Sequence, residues 1–207
     1  MIKTGSSDLD NLIEGFNEEI TYIYGEPGSG KTTICKLASI SLLKENKKVI
    51  FIDTENGFSV DRFKQLSNNN LNLLENIIVV KIKNFDDQCD KINEIKNIKK
   101  VNLIIVDSLG KFYRTEVKRN PKETNNKLAS CLTNLREITK NNIPVIITNQ
   151  VYSDIEKNEI VPVGGEMVKK FCQKIIELKN NPRKVLLIKP EKKFLFFKMT
   201  DIGIEKI

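Results

Sequence analysis

The sequence contains no histidine. That excludes the Ser-His-Asp and Cys-His nucleophilic mechanisms and removes the commonest metal ligand. Acid–base chemistry must then fall to carboxylates, lysine, tyrosine or water. Cysteine is sparse: Cys35, Cys89, Cys131 and Cys172 lie far apart in the chain with no CxxC spacing. Such spacing argues for reduced thiols in a cytoplasmic protein, and against a disulfide frame or a zinc ribbon. Long apolar runs are missing as well. The longest strong one is "LIIV" at 103–106, far short of the roughly 18 residues a membrane helix needs. The opening "MIKTGSSDLDNL" has no apolar stretch after its lysine, so no secretory signal is visible.

What is present fits one globular domain over residues 1–207, large enough to bury a core without staples. Hydrophobic residues make up 40% and charged residues 29%, too apolar for a disordered chain. The net charge of +7 is unevenly spread. From Lys169 to Lys198 there are ten Lys/Arg against two acids, Glu177 and Glu191; from Lys111 to Lys127 there are six against two. Clustered positive charge suits a polyanion such as DNA, although lysine- and asparagine-rich surfaces also solvate themselves this way.

Apolar runs alternate with segments of helical period, the pattern of an α/β fold with a mainly parallel sheet flanked by helices. Strands are expected at 19–24, 48–53, 76–82, 101–107 and 143–149, nearly all apolar because both faces are covered. Helices fit at 31–45, about 59–67, 86–98 and 123–141. Beyond residue 164 the runs "CQKIIELKN", "RKVLLIKP" and "KFLFFKMT" are close-set, and antiparallel additions at a sheet edge are expected there. Two stretches, 109–122 and 151–164, fit no element. Both follow strand carboxyl ends, where open α/β sheets place their ligands.

Three motifs carry chemistry. Gly25-x4-Gly30-Lys31-Thr32 matches the P-loop pattern and stands between a strand and a helix. In such a loop Gly25, Glu26, Pro27, Gly28, Ser29 and Gly30 wrap the phosphate, the glycines letting backbone N–H groups turn inward as a nest, and the helix N-terminus adds its dipole. Lys31 brings charge to the β/γ-phosphates of ATP, Thr32 a hydroxyl to Mg²⁺, and Thr33 a contact to the α-phosphate. "VNLIIVDS" ends an apolar strand in Asp107, costly unless paired, and a nearby Mg²⁺ would pair it directly or through water. "FIDTENG" places Glu55 just past a strand end, where a carboxylate could take a proton from an attacking water. Asp53 competes for that role, but its position before Asn56-Gly57 suits turn chemistry better.

In this order the three pieces resemble the RecA-type recombinase ATPases, over nearly the whole chain. "TGSSDLDNLIEG" (4–15) looks like that family's entry to the core, and "FIDTENGFSVDRF" like the stretch carrying its catalytic glutamate. The match places Arg62 on the arginine that packs against adenine. It places Gln150, ending "IPVIITNQ", on the glutamine that senses the γ-phosphate. The two unassigned stretches fall on the family's DNA-binding loops, and "PVGGEMV" resembles the close of the second. Tyr113, Arg114, Lys118 and Arg119 would form a single-strand grip, with Lys169 and Lys170, and further Lys174, Arg183 and Lys184, extending it. The plainer alternative has Tyr113 packed under its own loop and the lysines solvated.

The sequence opens almost directly on the core, so the family's N-terminal helical DNA-binding domain and subunit-hooking linker are expected to be absent. This resembles the short archaeal recombinase paralogues. The resemblance implies a weak ATPase that binds DNA and assists or regulates homologous recombination without exchanging strands. Recombinases and junction-resolving nucleases would be its partners, and a monomer or small oligomer its state. Two other readings stay open: a KaiC-like signalling ATPase, and a non-catalytic ATP-bound mediator.

Overall fold

The structure, a computed structural model, describes residues 1–154 and 159–207. Strands β1 (Ile20–Gly25), β2 (Val49–Asp53) and β4 (Leu103–Asp107) are buried at every residue, so each must be covered on both faces. Together with β3 (Ile77–Lys81), β5 (Val145–Asp154) and β7 (Lys174–Asn180) they form a parallel sheet in the order β3-β2-β4-β5-β1-β7. Antiparallel β8 (Arg183–Lys189), β9 (Lys193–Thr200) and β10 (Gly203–Lys206) extend it beyond β7.

Helices α1 (Ser7–Ile13), α2 (Lys31–Leu43) and α3 (Val60–Leu66) cover one face. Leu9, Ile13, Ile34 and Phe63 meet Ile23, Phe51 and Ile105 of the strands there. Helices α4 (Phe85–Ile95), α5 (Gly110–Glu116), α6 (Pro121–Thr139) and α7 (Gly165–Phe171) cover the other. Phe85, Leu128 and Val168 meet Tyr22, Ile50 and Ile104 on that side. Successive strand residues thus feed alternate cores, as a pleat requires. Asn84, Ser59 and Asn120 cap α4, α3 and α6, each side chain accepting a backbone N–H.

Three expectations need correction. Residues 109–122 are not an irregular loop: α5 runs through them and α6 begins at Pro121. The stretch 151–164 is largely a hairpin, in which β5 continues to Asp154 and pairs with antiparallel β6 (Glu159–Pro162); residues 155–158 of that expectation lie outside the described residues. Strand β7 is not a pure edge addition, because it pairs in parallel with β1. Separately from these, two cysteines distant in sequence meet. Cys131 on α6 lies 2.9 Å, sulfur to sulfur, from Cys89 on α4, and both are free thiols.

No described helix is long and apolar enough to cross a membrane.

Candidate functional site

The parallel register brings the chemistry to one height. Gly25 of β1 lies beside Gln150 of β5, and Asp53 of β2 beside Asp107 of β4. Gly25, Asp53 and Asp107 end their strands, and Gln150 is the last residue of β5 that pairs with β1, so all four stand at the carboxyl edge, where the sheet opens a crevice. A cavity of about 340 Å³ sits there, lined by Pro27, Gly28, Gly30, Lys31, Thr32, Thr33, Glu55, Arg62, Asp107, Gln150 and Met199.

The loop Gly25–Gly30 is held by sterics as well as by motif. Gly30 has φ of 107°, a left-handed value that only glycine takes readily, and a Cβ on it would strike the Met199 methyl. A Cβ on Gly25 would collide with the Leu178 carbonyl of β7. The Lys31 ammonium donates to the carbonyls of Gly25 (2.9 Å) and Glu26 (2.8 Å). An ammonium has three donors, so one is left for a ligand. Burial pushes its pKa down, opposed by Asp107 and Glu55. Ser29 is fully buried, and its hydroxyl has no hydrogen-bond partner among the described residues. Thr33 lines the cavity from the first turn of α2.

Asp107 accepts the Thr32 hydroxyl at 2.6 Å on one oxygen and the Thr148 hydroxyl at 2.5 Å on the other. Burial raises its pKa despite those two donors. Among the described residues no group of three His, Cys, Asp or Glu is gathered around a metal position. Mg²⁺ does not need one: it is usually held by one or two carboxylates, waters and the substrate's own phosphates. A carboxylate paired with a threonine hydroxyl at the foot of a phosphate-sized loop fits that ion.

Asp53 serves a turn. Its carboxylate accepts the N–H groups of Glu55 (3.3 Å), Gly57 (3.0 Å) and Phe58 (3.0 Å). Glu55 is thereby left at the cavity wall, its two oxygens taken by Ser108 Oγ (2.5 Å) and Gln150 Nε2 (2.8 Å). Arg62 lines the same cavity, and its guanidinium donates to the carbonyls of Thr200 (2.8 Å) and Asp201 (3.2 Å). It therefore ties α3 to the β9–β10 turn, a bond the sequence does not announce.

A second cavity of about 330 Å³ lies on the other side of Glu55 and Gln150, lined also by Ser108, Lys111, Arg114, Thr115 and Lys118. The cations at 111, 114 and 118 recur at helical spacing. The Arg114 guanidinium stands 5.8 Å from the Tyr152 ring centre, and Arg119 reaches Glu116 at 3.8 Å. Tyr113 overturns its assignment. It is 9% exposed, its ring sits edge-on to Phe85 at 6.0 Å, and its hydroxyl donates to Asn125 at 2.7 Å. A ring so placed is a core ring and has no face free for a base.

The C-terminal cations separate too. Lys170 is exposed on α7, and Lys169 pairs with Glu166 at 2.9 Å. Lys174 is buried, bonded to the Gly15 carbonyl (2.6 Å) and Glu19 (3.1 Å), and is therefore structural. Arg183 donates to the Gly28 carbonyl at 3.1 Å and Asn180 to Pro27 at 2.9 Å, so β7 and β8 brace the phosphate loop. Lys184 sits 3.8 Å over the Phe194 ring. Sequence reasoning passed over Ser108, Thr148 and Met199, although "VDS" and "TNQ" already contained the first two.

A mainly parallel sheet with these strand-end motifs and an antiparallel C-terminal extension is the RecA-like fold. The chain belongs to the Rad51 family, whose model matches residues 1–190. Within that family it is similar to proteins named DNA repair and recombination protein RadB. That of Methanoculleus marisnigri is 35% identical over 100% of this chain and 98% of its own length. The Methanococcoides burtonii protein is 40% identical over 82% of this chain and 79% of its own. A crystal structure of the RadB recombinase superposes with a TM-score of 0.82 at 32% identity, covering all of both chains.

Proposed function

We propose that this chain is an ATP- and DNA-binding protein of recombinational DNA repair with weak ATP hydrolysis, in which the nucleotide acts mainly as a switch. The family match and the RadB-named relatives support the repair role. The observation that carries the nucleotide reading is the convergence of Lys31, Thr32, Asp107, Glu55 and Gln150 on one cavity from four strand ends. When bound, Mg²⁺ neutralises charge developing on transferred phosphate.

The protein's own parts then have distinct tasks. Backbone N–H groups of residues 28–33 and the Lys31 ammonium hold phosphate oxygens. Asp107 and Thr32 hold the metal. Glu55 is the base toward water, and Gln150, bonded to Glu55 and continuous with the β5–β6 hairpin, links nucleotide state to that hairpin. Arg114, Lys118 and the neighbouring Lys111 draw in a phosphodiester backbone; recombinases and nucleases remain partners by resemblance alone. Residues 1–207 act as a single ATPase core.

The test is Glu55→Gln. Mg-ATP binding, followed with a fluorescent analogue, is expected to stay within about two-fold, while turnover falls by about 100-fold or more. Unchanged turnover would remove Glu55 as base. Full complementation of repair by a variant without turnover would favour the non-catalytic mediator.

A further inference from the structure

The two cavities share a wall, and that wall contains the base. Glu55 and Gln150 line both; Ser108 lines only the α5-side cavity and not the nucleotide cavity. The Ser108 hydroxyl bonds Glu55 at 2.5 Å. One Glu55 oxygen is thus anchored to a side chain that lines the α5-side cavity and not the nucleotide cavity. Gln150 fixes the second oxygen at 2.8 Å, so rotation about the carboxylate axis is stopped at both ends. Each oxygen keeps a free lone pair; what is lost is aim, and catalysis by a positioned base depends on aim.

Ser108 is itself immovable. It is 2% exposed. Its N–H donates to Thr54 Oγ1 at 2.8 Å, and Thr54 Oγ1 donates back to its carbonyl at 2.8 Å. The Thr54 N–H in turn donates to the Asp107 carbonyl at 2.9 Å. The backbone that carries the hydroxyl is therefore pinned next to Asp107, and Glu55 meets the hydroxyl there.

From this we infer that Ser108 is a positioning residue that restrains Glu55, holding the base in a resting orientation and keeping basal ATP turnover low. The inference rests on the ATPase reading above, in which Glu55 is the base. A ligand that recruits Gln150 removes one restraint, and Ser108 remains as the second until the carboxylate swings to the nucleotide side. Slow hydrolysis is then a built-in property of the wall.

Three measurements on the full chain test this: affinity for a fluorescent ATP analogue with Mg²⁺, steady-state phosphate release, and thermal melting. Ser108→Ala deletes the hydroxyl and leaves the backbone bonds to Thr54 intact, so folding should survive. The expected result is a basal kcat about five-fold higher, equivalent to ~1 kcal/mol of barrier, with nucleotide affinity unchanged. Ser108→Thr, which returns a hydroxyl, should bring the rate back toward the original. A lower or unchanged kcat in Ser108→Ala with normal affinity would overturn the inference, showing that the hydroxyl supports the base or does nothing to it. The inference also falls if Ser108→Ala unfolds and Ser108→Thr fails to retain the low rate. Absence of nucleotide binding in the unmutated protein would instead overturn the ATPase reading itself.

Discussion

The two cavities flanking Glu55 are built on opposite principles. On the nucleotide side every charged group is held by another group: Lys31 by two carbonyls, Asp107 by two hydroxyls, Arg62 by the β9–β10 turn. On the α5 side Lys111 and Arg114 of the helix and Lys118 just past its end line the open cavity. A pocket that must discriminate one ligand is preorganised and costly in burial. A surface that grips any stretch of a polyanion needs charge and little else. The difference teaches which residues are interchangeable, and substitutions on each side probe it.

The largest effect is expected from Lys31→Ala. Losing the buried cation that faces the loop should weaken Mg-ATP affinity by about 100-fold, the upper end for a charged hydrogen bond of ~1.5–3 kcal/mol. Because burial already disfavours its charged form, the apo protein should melt no lower. A large drop in melting temperature would mean that the ammonium is a strut for the loop more than a ligand.

Next comes the double change Arg114→Ala with Lys118→Ala. Single-strand affinity should fall by about 10-fold, and the salt slope should shrink by roughly 0.7 for each cation removed. Nucleotide affinity should hold. Tyr113→Phe, which keeps the ring and removes only the bond to Asn125, should leave DNA affinity untouched. If it weakens DNA as much as the double change does, the Tyr113 hydroxyl belongs to the DNA grip.

The smallest effect has the most informative sign. Asp107 has a raised pKa, so its folded form holds a proton more tightly than the unfolded chain does. Ionising it costs stability, a penalty that grows as pH rises from the ordinary carboxylate value through the raised one and then stays. Asp107→Asn removes the penalty. At neutral pH its apo melting temperature should rise, by ~2–4 °C for each kcal/mol recovered, while the extra stabilisation by Mg-ATP disappears. A lower apo melting temperature would show that the carboxylate's two hydroxyl bonds outweigh its burial.

The same contrast explains what could be read beforehand. The phosphate loop was legible because its chemistry is local, with glycine, lysine and threonine at fixed offsets between a strand and a helix. The buried strands showed themselves as apolar runs. Helix α5 was hidden because Gly110, Thr115 and Val117 are poor helix formers. It is held by distant contacts, Tyr113 on Phe85 and Asn125, and Gln88 on the Leu109 carbonyl. The hairpin of β5 and β6 was obscured for a similar reason, since "NQVYSD" is too polar to announce a strand and is held in one by its partner. Charge counting could not separate a buried Lys174 from an exposed Lys170, because burial is decided by residues as remote as Gly15.

One consequence follows from where the loop strand finds its neighbours. Gly25 is laid between Gln150 and Leu178, and the loop after it is gripped by Asn180, Arg183 and Met199. A ribosome therefore delivers the whole motif well before its seat, which exists only once β7 and β8 have been made. A nascent chain halted before β7 would carry every signature residue and yet have no cradle. Pairings so remote in sequence form slowly, so nucleotide cannot nucleate this fold from its motif. A nucleotide cradle at this motif therefore requires β7 and β8 to be in place first.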